Sequence, residues 1–186
     1  MNGILFRGEE VPEVKKELLF VDGYNMIGSW PHLVKLQRKN DMAAARDILL
    51  HELSEYAKYE NIEIRVVFDA HFVPGIQKQY DRYNLLVIFT KEDETADSYI
   101  EKAVGEENQF ITNVVVATSD LAEQWLVFQR GASRKSARDL YKELKHTKQK
   151  IMMETSEYNL KNTRRIKSLS KEQEKQLRDF MENLEG

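Results

Sequence analysis

Three aspartates stand where a run of apolar residues stops. Asp22 follows Leu18-Leu19-Phe20-Val21, Asp69 follows Val67-Phe68, and Asp120 follows Val116-Ala117-Thr118-Ser119. A fourth, Asp97, lies in a stretch that reads as a helix, with Glu94 three residues before it and Glu101 four after it on the same face. Carboxylates gathered in one crevice repel one another, and some stay protonated at neutral pH unless a cation intervenes. Mg2+ or Mn2+ takes oxygen ligands, keeps several waters, and can make one of them nucleophilic toward a phosphodiester. The chain has no cysteine and no His pair at ligand spacing, so a hard cation is the coherent expectation rather than zinc.

Each acid also has a plain structural reading. Asp22-Gly23 suits a turn, Asp120 with Glu123 suits a helix cap, and Glu92-Asp93-Glu94 suits a helix start where the macrodipole favours negative charge. Singly these readings win. Jointly they lose ground, because chance seldom ends three buried strands in the same acid.

The elements that would carry these acids alternate in type. Strands are expected over 18–21, 62–68, 85–89 and 114–117, each an apolar run rather than an alternation. Helices are expected over 41–59 with Asp41 as N-cap, over 95–104, over 120–129, from Ser133 to about Met153, and from Ser170 to Leu184. Alternating elements with continuously apolar strands predict an α/β fold whose mostly parallel sheet is covered on both faces. Parallel strands bring their ends to one sheet edge, where open α/β sheets build their sites. Residues 1–17 read as a flexible leader, 18–155 as the domain, and 156–186 as a basic segment and helix that packs on it or extends RNA binding. Between the second and third strands, roughly 70–84 form a long loop whose Tyr80, Arg82 and Tyr83 suit either substrate contact or an ordinary surface.

Charge is divided unevenly along a chain of 186 residues whose net charge is −3. From Arg130 to Lys150 eight basic residues face two acidic ones, and from Leu160 to Lys171 five basic residues face none. A basic approach beside an acidic pocket suits a metal-using nuclease, although a Lys/Arg run alone is usually a solvated face. No apolar stretch is long enough to cross a membrane, and the first 20 residues do not resemble a secretory signal. With the absence of cysteine, this predicts a cytoplasmic protein. No glycine-rich phosphate loop, dinucleotide fingerprint or nucleophile elbow is present. His32, His51 and His71 read as structural or exposed, and Trp30 and Trp125 as core.

Leu19-Phe20-Val21-Asp22-Gly23-Tyr24-Asn25 resembles the opening motif of NYN domains, a PIN-like nuclease group. Further segments resemble the YacP-like branch of that group: Val67-Phe68-Asp69-Ala70-His71, Glu94 to Glu101, Val116 to Asp120 with Glu123-Gln124, and Gly131-Ala132-Ser133-Arg134. They occur in order over about 18 to 145. The resemblance implies a PIN-like three-layer α/β/α sandwich and a metal-dependent endoribonuclease using Mg2+ or Mn2+. It maps the catalytic, metal-holding set onto Asp22, Asp97 and Asp120, with Asp69 as a further ligand and Asn25 beside them. Glu94, Glu101 and Ser119 are supporting candidates. It also implies messenger RNA as substrate and a link to the ribosome. Arg130, Arg134, Lys135, Arg138 and Lys142 are expected to hold the RNA backbone, with Arg164 and Arg165 extending that surface. The rival reading is a non-catalytic RNA- or ribosome-binding module on the same fold. A phosphatase is disfavoured, because its usual second aspartate two residues on is here Tyr24.

Overall fold

The computed structural model describes residues 15–69, 85–119, 131–167 and 171–182; for 162–167, Lys171, Glu174, Leu177, Met181 and Glu182 it describes the backbone only. In chain order the described elements are β1 (Lys16–Asp22), α1 (Gly23–Ser29), α2 (Pro31–Arg38), α3 (Met42–Glu60), β2 (Glu63–Phe68), β3 (Leu86–Phe89), α4 (Ala96–Glu106), β4 (Thr112–Thr118), β5 (Ser133–Ser136), α5 (Ala137–Lys167) and α6 (Lys171–Glu182). The strands form one sheet in the order β3-β2-β1-β4-β5, and every pairing is parallel. Strand order reverses beside β1, the first strand in sequence and the central one in space, so a crevice opens past the ends of β1 and β4.

Both faces of the sheet are covered at its inner strands, which explains the apolar runs Leu18–Val21, Val66–Phe68 and Val114–Ala117. Leu19, Val21, Ile64, Val66, Phe68 and Ala117 pack with α1, α2, α3 and the start of α5 through Met26, Ile27, Leu33, Leu49, Leu53 and Leu140. Residues of the other parity, Leu18, Phe20, Val67, Val114 and Val116, pack with α4 through Ala96, Ile100 and Val104. This is the three-layer α/β/α arrangement expected from the sequence. Trp30 is buried, as expected, and its indole N–H donates to the Ala137 carbonyl at 3.0 Å. His32 is bound to Glu52 at 3.1 Å and stacked on Tyr141.

The structure departs from the sequence expectations at three places. Residues 23–38, for which the sequence predicts no element, form α1 and α2; a seven-residue helix holding two glycines carries little periodic signal. Ser133–Ser136, expected to open a helix, is the edge strand β5 against β4. Its residues are polar because an edge strand is half exposed. Helix α5 then starts at Ala137 and continues past Met153 to Lys167. Its start is marked by Ser136, whose Oγ accepts from the Asp139 N–H at 3.1 Å and donates to Asp139 Oδ2 at 2.6 Å. The expected helix over 120–129, with Trp125, lies outside the described residues, as do the leader residues 1–14 and His71.

The chain divides into two compact units, Met1–Lys145 and His146–Gly186. The first holds the sheet. The second holds the far part of α5 and α6, with an open groove of about 490 Å3 along Ile151, Met152, Thr155, Ser156, Asn159 and Leu160. Among the described residues no helix is long and apolar enough to cross a membrane.

Candidate active site

The ends of β1, β2 and β4, with the start of α4, surround an open cleft of about 450 Å3 lined by Asp22, Tyr24, Asn25, Gly28, Ser29, Asp69, Thr95, Ala96, Asp97 and Ser119. Strand register explains why these groups meet. Asp22 pairs with Val67, so Asp69 lies two residues past that level. Val21 pairs with Ala117, so Ser119 lies one residue past the level of Asp22.

Asp22 is placed by its own helix. It is the N-cap of α1, and its Oδ1 accepts from the Asn25 N–H at 3.0 Å. Its Oδ2 accepts from Asn25 Nδ2 at 2.8 Å, and Ser119 Oγ in turn donates to Asn25 Oδ1. A chain of bonds thus runs from β4 through Asn25 to the Asp22 carboxyl. Gly23 is required behind it, because a Cβ there would fall inside the Phe68 ring. Burial pushes the Asp22 carboxyl above its ordinary range, the bonds from Asn25 and the Tyr24 N–H pull it back, and the charge of Asp69 pushes it up again. Asp97 enters from the first turn of α4, whose N-cap Thr95 accepts from the Ser98 N–H at 3.2 Å.

The expected residues are distributed unevenly. Asp22, Asp69, Asp97, Asn25 and Ser119 line the cleft. Glu94 precedes the Thr95 cap, so it does not share a helical face with Asp97 as expected, and neither it nor Glu101 lines the cleft. Asp120 and Arg130 lie outside the described residues. Arg134 is exposed on β5, and Arg138 and Lys142 are exposed on the first turns of α5. Lys142 bonds Asp139 at 3.3 Å. Lys135 is held by Glu143 at 2.6 Å, and Glu143 also accepts from the Tyr56 hydroxyl at 2.8 Å. Arg164 and Arg165 lie on the α5 backbone, their side chains outside the described ones. Tyr24, Gly28, Ser29, Thr95 and Ala96 also line the cleft, and the sequence alone does not single them out for it. The readable signal for Thr95 is a Thr just before a helix; for Tyr24 it is only its place between Asp22 and Asn25.

The donor set is oxygen throughout, which suits Mg2+ or Mn2+. Among the described residues no three acidic or histidine side chains gather closely enough to enclose a metal. A hard cation held by one or two carboxylates and its own waters needs no such enclosure. The raised Asp22 carboxyl facing Asp69 is the situation a cation would relieve.

The model of the YacP-like NYN domain family matches residues 19–182. An uncharacterised protein, YacP of Bacillus subtilis (strain 168), is 47% identical over 135 residues, covering 73% of this chain and 79% of that protein. The crystal structure of Rae1 (YacP) from Bacillus subtilis is similar with a TM-score of 0.71 at 41% identity, covering 91% of this chain and 95% of that one. The crystal structure of a mutant of the same Bacillus subtilis protein is similar with a TM-score of 0.68 at 43% identity, covering 77% and 84%. Fold, match and identity agree: this chain belongs to the YacP-like NYN domain family, a PIN-like nuclease group.

Proposed function

We propose that this chain is a metal-dependent endoribonuclease that hydrolyses phosphodiester bonds of messenger RNA in a translation-linked setting in the cytoplasm. The observation that carries the reading is the single cleft into which Asp22, Asp69 and Asp97 open at the sheet's crossover. When bound, Mg2+ or Mn2+ supplies an activated water and neutralises charge on the phosphate. Asp22, Asp97 and Asp120 are assigned to hold it, with Asp69 as a further ligand. Asn25 keeps both Asp22 oxygens in place, one through its backbone and one through its amide. Ser119 fixes Asn25, so the carboxylate meets its ligand already oriented. Arg134, Arg138 and Lys142 are exposed cations suited to the RNA backbone, giving affinity that falls with salt. Arg130, Arg164 and Arg165 belong to the same assignment, and Lys135, already engaged by Glu143, is its weakest member.

The test is cleavage of a long, partly structured messenger RNA with Mg2+ or Mn2+, by wild type and Asp97→Asn, with and without translating ribosomes. Cuts lost in the variant and with EDTA support the nuclease. Cuts appearing only with ribosomes support the translation link. No cuts in either setting would leave a binding module as the better reading.

A further inference from the structure

Besides Asp22, one charged side chain is buried among the described residues. It is Arg46 on the second turn of α3, 7% exposed. Its surroundings are unusual for a buried cation. Nη1 donates to the Tyr24 hydroxyl at 3.3 Å, while Nε is buried with no hydrogen-bond partner. A guanidinium in this position is costly in three ways: it is desolvated, no carboxylate among the described residues pairs with it, and it sits near the positive end of its helix. Its neighbour, however, is a wall of the cleft, since Tyr24 lines the space into which Asp22, Asp69 and Asp97 open. The other described lining residues are uncharged. A strand of phosphates entering there meets three carboxylates and, on the described lining itself, no cation.

We propose that Arg46 is a positioning residue for substrate: with Tyr24 it makes one wall of the cleft a seat for a backbone phosphate of the RNA strand, next to the phosphate facing the carboxylates. The inference rests on the nuclease reading and names which side of that cleft takes the flanking nucleotide. A guanidinium bonded to a hydroxyl oxygen polarises that O–H and strengthens it as a donor. Tyr24 is held edge-on to Phe68, ring centroids 5.1 Å apart, so the hydroxyl keeps its place. The charge behind it is buried, so its field acts on the hydroxyl through protein rather than through water. The plainer alternative is that Arg46 only ties α3 to α1, and the two accounts differ in what substitution changes.

The experiment compares wild type, Arg46→Met, Tyr24→Phe and the double variant on a single-stranded RNA, reading KM, kcat, their salt dependence and Tm. The expected result is a KM raised about tenfold in each single variant, with kcat moving much less. The double variant is no worse than the poorer single one, because the two groups act as a unit. In Arg46→Met the slope of log KM against log salt becomes shallower by about 0.7, the loss of one phosphate contact. Its Tm stays level or rises, since an unpaired buried charge has gone. Wild-type KM and salt slope in Tyr24→Phe, with a lowered Tm alone in Arg46→Met, would overturn the inference. Should Arg46→Met fail to fold, Tyr24→Phe decides. Should the wild type cut no RNA even with translating ribosomes, the nuclease reading fails separately. Fluorescence anisotropy with a labelled RNA oligonucleotide and no metal then decides this one: equal affinity in wild type and Tyr24→Phe overturns it, and weakened affinity upholds it.

Discussion

Asp22 is held between opposing influences, and their balance has measurable consequences. Burial and the charge of Asp69 raise its carboxyl above the usual 3.8, while Asn25 and the Tyr24 N–H lower it. A carboxyl raised in the folded state favours folding fully only below 3.8, and that contribution is lost as pH rises through the folded value. Asp22→Asn, whose amide can still cap α1, should therefore match wild type in Tm at low pH and exceed it at pH 7 in EDTA, although it cleaves nothing. A melting series across that window would disprove the account if the variant lost stability at pH 7. Asn25→Ala removes the amide bond that favours the ionised form, so the acid limb of its rate–pH profile should move to higher pH. An unmoved limb would mean that Asp22 does not govern it. At this scale Asp22 and Asp69 are legible in the sequence because strand ends announce themselves where an apolar run stops, and Asp97 because it opens a helix behind Thr95. Arg46 is not legible, since a lone Arg within a helical stretch looks like any solvated cation until its burial is known.

At the scale of elements, the cleft depends on how closely β1, α1 and β2 approach. Gly23→Ala sets a methyl group into the Phe68 ring. We expect a loss of roughly 1–3 kcal/mol in urea unfolding, together with reduced cleavage as Asp22 is displaced. Full stability would show that Phe68 can move aside without cost. The β5–α5 junction separates two kinds of cation. Lys135 belongs to a lock with Glu143 and Tyr56, whereas Arg138 is exposed on α5. Arg138→Ala should therefore weaken RNA binding and flatten its salt dependence more than Lys135→Ala does, a ranking that filter binding at several salt concentrations can reverse. The same junction shows why β5 escapes a reading of the sequence. Its four residues, Ser-Arg-Lys-Ser, hold no apolar position, and an edge strand takes its identity from its partner β4 rather than from its own composition. The buried strands are legible because both of their faces demand apolar side chains.

Across the whole molecule, a net charge of −3 coexists with cations concentrated after Arg130. Affinity for RNA should come from that local field, so raising salt from about 50 to 200 mM should weaken binding steeply while leaving the fold intact. A flat response would remove the basic stretch from the interface. The parallel sheet and its three layers follow from the alternation of elements, but the strand order does not, because it depends on which later strand flanks β1 on each side. That order also bears on how the protein comes into being. β1 is made first yet is flanked in the finished sheet by β2 and by β4, which ends at Thr118. The bond from Ser119 to Asn25 spans 94 residues of chain. Contacts so distant in sequence form late, so a nascent chain that has already delivered Asp22 cannot assemble the cleft until β4 has followed it out. The cleft is thus a late product of folding: a chain that holds Asp22 and Asn25 has no complete site until the fourth strand has joined the sheet.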